Sequence, residues 1–146
     1  MNSASRMKKG LSEMLDIILT AIVVLVLLTV IYRVLPHRDL GAKKPMLAFF
    51  PKYRNQVASP DSDDQVEQTM ASLGFNKSKS RGGVTEYSRG SVVGDLSIKL
   101  SKVKVTFHPV SDGKLPFAVE AAWVVAFDTG DHWQFTKELG DKLESG

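Results

Sequence analysis

The sequence predicts an α+β protein in which one N-terminal transmembrane helix precedes a small antiparallel sheet of three or four strands. Two further helices are expected to pack on one face of that sheet, in the order α-β-β-β(-β)-α after the span. The chain has 146 residues, 43% hydrophobic and 24% charged, which fits one small domain with appendages. Its apolar residues are concentrated in one N-terminal block, and the remainder shows helical and period-two patterns.

The N-terminal block predicts a membrane span. Residues 17–32 are sixteen residues without a charge, and extension to 14–35 gives 22 residues. A helix of that length reaches about 33 Å, enough for a hydrocarbon core of ~30 Å. Tyr32 and Arg33 are residue types that favour the boundary between lipid and water, and Pro36 is expected to end the helix.

A cleaved signal peptide is the alternative interpretation of this block. Arg6, Lys8 and Lys9 resemble its basic region, but no small-x-small cleavage site follows closely. We therefore expect a retained, single-pass span in the plasma membrane, or in the inner membrane if the source is bacterial. Three basic residues precede the span within about 20 residues and six follow it, which predicts a cytoplasmic C-terminal domain.

The span divides the chain into four expected regions. These are a basic tail (1–13), the span (14–35), a basic and aromatic linker (36–58) and a soluble domain (59–146). Lipid-surface contact is expected from six basic residues, namely Arg33, Arg38, Lys43, Lys44, Lys52 and Arg54. Alternatively the linker is an ordinary connector, with Leu47, Phe49 and Phe50 packed beneath the domain.

Helices are predicted at both ends of the soluble domain. The first starts at Ser59 or Ser62 and ends at Gly74. The last runs from 131 to about 143 and is capped by Asp128 or Thr129, with an apolar stripe through Leu139.

Strands are predicted between these helices. Residues 83–88 and 96–100 alternate in period two, and the phase changes before 103–107, which requires a bulge near 101–102. Residues 117–127 are apolar on both faces and indicate a central strand, with Trp123 in the core.

Several chemistries are not expected from the composition. The chain has no cysteine, which excludes disulfides, thiolate metal sites and cysteine nucleophiles. His37, His108 and His132 do not have metal-ligand spacing, so neither a metal nor a cofactor is expected.

One segment favours a catalytic alternative. Residues 124–130 read VVAFDTG, and 92–95 read VVGD. This pair of segments resembles elements of the aspartic protease active site, which implies a catalytic role for Asp128 in a membrane-tethered or degenerate hydrolase. The same residues also fit a strand-to-helix turn in which Asp128 caps the last helix.

Basic residues in the strands suggest a further alternative, a module that contacts anionic lipid or nucleic acid. They are Lys77, Lys79, Arg81, Arg89, Lys99, Lys102 and Lys104. Stacking aromatics are sparse among them, so nucleic-acid binding is not expected. The function expected from the whole sequence is a non-enzymatic protein-interaction or assembly module at a membrane surface, with lipid and a protein as its partners.

Overall fold

A computed structural model describes residues 2–90, 103–121 and 127–146 of the chain. The fold is α+β and divides into two compact units, Met1–Leu35 and Pro36–Gly146. The predicted strand at 96–100 and bulge at 101–102 lie outside the described residues. So do Trp123, Lys99, Lys102, and residues 92–95 and 124–126 of the protease-like segments.

The first unit is one α-helix. Helix α1 spans Ser3–Val34, and the Asn2 side chain accepts a hydrogen bond from the Ser5 N–H at 3.0 Å. It contains an apolar 18-residue window of which no part is buried, so it is long and apolar enough to cross a membrane. Length and composition alone are also compatible with a signal sequence.

The described residues of the second unit form two sheets and two helices. The first sheet has six strands in the order β1-β3-β7-β6-β5-β4, and β2 pairs with β8 in a separate ribbon. The strands are β1 (Arg38–Asp39), β2 (Ala48–Phe49), β3 (Lys52–Ala58), β4 (Asn76–Arg81), β5 (Val84–Arg89), β6 (Val103–Phe107), β7 (Lys114–Ala121) and β8 (Phe127–Asp128). The helices are α2 (Asp63–Ser72) and α3 (Asp131–Ser145).

The prediction of three or four antiparallel strands that follow a helix was wrong in both count and order. Strands β1 and β3 precede α2, and they pair in parallel, which makes the sheet mixed. Strand β3 was missed because polar Asn55 lies between Tyr53 and Val57 on its inward face, which breaks the apolar alternation. Strand β4 was missed because all six of its residues are exposed.

The core lies on one face of the six-stranded sheet. Tyr87, Val105 and Val119 lie in one row across β5, β6 and β7, and Phe107 pairs with Phe117 in the next. The same cluster includes Val66 and Met70 of α2 and Leu139 and Leu143 of α3. Both helices therefore pack on this face.

The termini of the two helices follow local backbone chemistry. Helix α2 begins after Ser62, whose side chain makes no capping hydrogen bond, and Gly74 follows its end with a φ of +82°. The N-cap of α3 is Gly130. A side chain from β8 accepts hydrogen bonds from the backbone amides at the start of α3. That side chain belongs to Asp128.

Candidate functional site

The ribbon formed by β2 and β8 has one buried face and one exposed face. Ala48 pairs with Asp128, and Phe49 pairs with Phe127. Ala48 is buried, whereas Phe49 and Phe127 are 58% and 60% exposed. The two phenyl rings meet edge to face with centroids 6.5 Å apart. The ribbon therefore presents an aromatic pair to its surroundings.

Asp128 connects the buried side of the ribbon to α3. One carboxylate oxygen accepts from the Gly130 N–H at 3.1 Å, and the other accepts from the His132 N–H at 2.9 Å and contacts His132 Nδ1. Burial opposes ionisation of Asp128, but the bonds and charge from His132 and the Gly130 amide outweigh it and hold its pKa below the usual range. Asp128 is thus an anion that caps α3.

His132 contacts this carboxylate, and the charge of Asp128 also acts on Tyr53. His132 is 3% exposed, and its Nε2 has no hydrogen-bond partner in the described structure. Burial and the charge of Asp128 raise the pKa of the buried Tyr53 phenol, and Arg38 opposes that increase. The lowered pKa of Asp128 fits its role as the cap of α3.

The turn at Gly130 packs against loop 41–45, which precedes β2 in the sequence. Its φ is +88°, and a Cβ added there would lie 2.5 Å from the Pro45 carbonyl oxygen and 2.9 Å from side-chain carbons of Lys44. The Trp133 indole N–H donates to the Gly41 carbonyl at 3.0 Å. The loop 41–45 therefore packs closely on the start of α3.

Exposed apolar side chains are concentrated beside this turn. We define the ribbon patch as Met46, Leu47, Phe49 and Phe127. Met46 is 93% exposed and Leu47 is 50% exposed. In the described part of Pro36–Gly146, Val110 is the other large hydrophobic residue with comparable exposure. The ribbon patch is therefore the main apolar surface of the described part of this unit.

The structure separates the six proposed lipid-contact residues into two groups. Arg33, Lys43, Lys44, Arg38 and Arg54 are exposed, although Arg38 donates to the Phe49 carbonyl and Arg54 pairs with Asp39. Lys52 is 3% exposed and lies 3.4 Å from Glu120. Lys52 therefore belongs to an internal ion cluster.

Glu120 is the centre of this ion cluster. Its carboxylate lies 2.6 Å from Lys104 Nζ and 3.1 Å from His37 Nε2, the latter without hydrogen-bond geometry. Burial alone would raise the pKa of Glu120, but His37, Lys104 and Lys52 together lower it to about 2. Sequence reasoning missed the cluster because its members come from distant segments and form no motif.

The five basic strand residues that the structure describes do not form one surface. Lys104 contacts Glu120, and Arg89 lies 4.6 Å from the Phe75 ring centroid and donates to the Leu73 carbonyl. Three others are exposed on the edge strand β4, namely Lys77, Lys79 and Arg81. No group of three potential metal ligands occurs among residues 2–90, 103–121 and 127–146.

Comparison of the chain with known protein families, curated proteins and solved structures found no match. Interpretation of its function therefore depends on the geometry given above.

Substitution of Gly130 tests the packing of loop 41–45 on α3. In Gly130→Ala the new Cβ would sit on an unfavourable left-handed backbone and would also overlap the Pro45 carbonyl oxygen. In the control Gly82→Ala the backbone is also left-handed, with a φ of +61°, but the new Cβ would have no atom within 4 Å. Backbone strain should cost each variant about 1–2 kcal/mol, and overlap should cost Gly130→Ala about 1–3 kcal/mol more. Urea unfolding in detergent micelles, followed by tryptophan fluorescence, measures the difference. Equal losses would contradict this packing.

The Glu120 cluster predicts an acid-sensitive fold. Because its folded-state pKa of about 2 lies below the ordinary 4.5, ionised Glu120 stabilises the fold fully above about pH 4.5. That stabilisation, about 3 kcal/mol, is lost as the pH falls towards 2. Glu120→Gln should show a shallower fall in unfolding free energy over this range. The exposed control Glu144→Gln should behave as wild type, and identical slopes for all three would refute the prediction.

Proposed function

We propose that this chain is a single-pass membrane protein whose unit Pro36–Gly146 is a non-enzymatic protein-interaction or assembly module at the membrane surface. The observation that carries the proposal is helix α1, whose apolar 18-residue window is entirely unburied. A cytoplasmic position for the module is part of the proposal and is supported by the greater number of basic residues after the span.

The energetics of α1 support retention in lipid. Each large apolar side chain left in water forgoes about 1.5–3 kcal/mol of burial energy. With 32 residues the helix is about 48 Å long, which exceeds the ~30 Å hydrocarbon core. The excess length allows Arg6, Lys8 and Lys9 to remain at the surface while the apolar segment crosses.

The sheet face opposite α2 and α3 has an open cleft beside the Glu120 cluster, and this cleft supports a role in binding a partner. Pro116 and Ala118 alternate with core residues of β7, so they point away from α2 and α3. They line an open cleft of about 860 Å³ together with His37, Arg54 and Gln56. An apolar floor with a polar margin is the usual arrangement of a protein interface.

The surroundings of Asp128 favour this role over the hydrolase alternative. Its two oxygens are occupied by the Gly130 and His132 amides and by the His132 ring. A carboxylate held in this way stabilises the start of α3. It is therefore proposed as a structural group.

Site-specific photo-crosslinking in cells tests the proposal. A photoreactive residue replaces Gln56, which lines the cleft, in the full chain, and the matched control replaces exposed Ser72 at the end of α2. We expect a discrete protein adduct in the membrane fraction from position 56 but not from position 72.

The double variant Val24→Arg/Leu27→Arg provides the membrane control, because each central arginine opposes insertion by about 2.5–3.5 kcal/mol. It should leave the membrane fraction and lose the adduct. Adducts of equal yield at positions 56 and 72, or at neither position, would contradict the interaction role.

A further inference from the structure

We infer that the ribbon patch is a second membrane contact, which inserts into the headgroup region of an anionic leaflet. The inference rests on the proposed function, because it requires that α1 is retained as an anchor. It concerns apolar side chains of β2, β8 and the preceding loop, which are separate from the cleft on the open face of the sheet.

The orientation of the ribbon patch is fixed by its buried side. Ala48 and Asp128 point inward, so their neighbours Phe49 and Phe127 point outward. Phe50 has a φ of +48°, which is uncommon for a residue other than glycine. The Arg38 guanidinium donates to the Phe49 carbonyl beside this strained residue. The aromatic pair is thus held outward by the fold.

The charge next to the ribbon patch matches an anionic lipid surface. Residues 41–49 contain Lys43 and Lys44 and no acidic residue, and both lysines are exposed. A lysine close to an anionic leaflet contributes about 1 kcal/mol, and aromatic side chains favour the interfacial region.

The composition of the ribbon patch suits a lipid surface. Three of its four exposed apolar side chains closely follow two exposed lysines in sequence, so apolar groups can insert while the bases remain among the headgroups. A few inserted side chains are sufficient when an anchor already holds the protein at the bilayer.

The ribbon patch lies close in the sequence to the anchor helix α1. Helix α1 ends at Val34 and the patch begins at Met46, so the 11 residues 35–45, or at most roughly 40 Å of extended chain, separate them. This short connection keeps the patch within reach of the bilayer that holds α1. Even a weak contact is then populated, because its effective concentration is high.

The absence of cysteine from the chain allows a direct test. The variant Met46→Cys replaces a side chain that is 93% exposed, and its thiol is labelled with an environment-sensitive fluorophore in the full chain. The protein is reconstituted into phosphatidylcholine vesicles with or without phosphatidylserine. In the phosphatidylserine vesicles we expect quenching by lipid-attached nitroxide and protection from aqueous iodide. The matched control Val110→Cys should be quenched by iodide alone.

Two further variants assign the contact to its residues. Lys43→Gln/Lys44→Gln should reduce the ratio of inserted to free patch about 30-fold, from about fivefold for each lysine. Phe49→Ser/Phe127→Ser should abolish protection of the label. Both pairs are exposed, so these changes leave the core intact.

The outcomes separate this inference from the proposed function. Iodide quenching at position 46 in phosphatidylserine vesicles that retain the protein would overturn the inference alone. Shielding from both iodide and lipid nitroxide would also overturn it, because a protein or a second copy would then cover the patch. Failure of the chain to remain in vesicles would overturn the proposed function.

Discussion

The apolar surface of α1 is the constraint on which the account of this protein depends. The helix has 32 residues, and its most apolar 18-residue window has no buried part. Water is an unfavourable environment for such a surface, and a bilayer removes that cost without any contribution from the rest of the chain. Retention in lipid would then place the unit Pro36–Gly146 at a membrane, and its exposed features are interpreted in that setting.

Within that unit, Asp128 connects three pieces of structure. It lies at the end of β8, pairs with Ala48 of β2 and caps α3. An acidic residue at the end of a strand can serve either as a catalytic group or as an acceptor for helix amides. Here the two oxygens of Asp128 accept from the Gly130 and His132 amides, which is the geometry of a helix cap.

Periodic segments could be predicted from the sequence, and segments defined by tertiary pairing could not. The stripe through Leu139 indicated α3, and the apolar residues from Phe117 onward indicated a buried strand. Strand β3 was missed because a polar residue interrupts its apolar alternation, and the Glu120 cluster was missed because its members are far apart in the sequence. Lys52 is buried because Glu120 lies opposite it on β7, and no local pattern records a partner 68 positions away. The linker 36–58 was noted for its basic and aromatic residues, but β2 and the exposed ribbon patch depend on pairing with β8.

The most direct test of the central claim is alkaline carbonate extraction of native membranes, combined with the intact mass of the extracted protein. The account predicts a chain that stays in the pellet with a mass near 16.1 kDa, which requires that α1 is retained. Recovery in the supernatant, or a mature form that begins beyond Leu35, would contradict it.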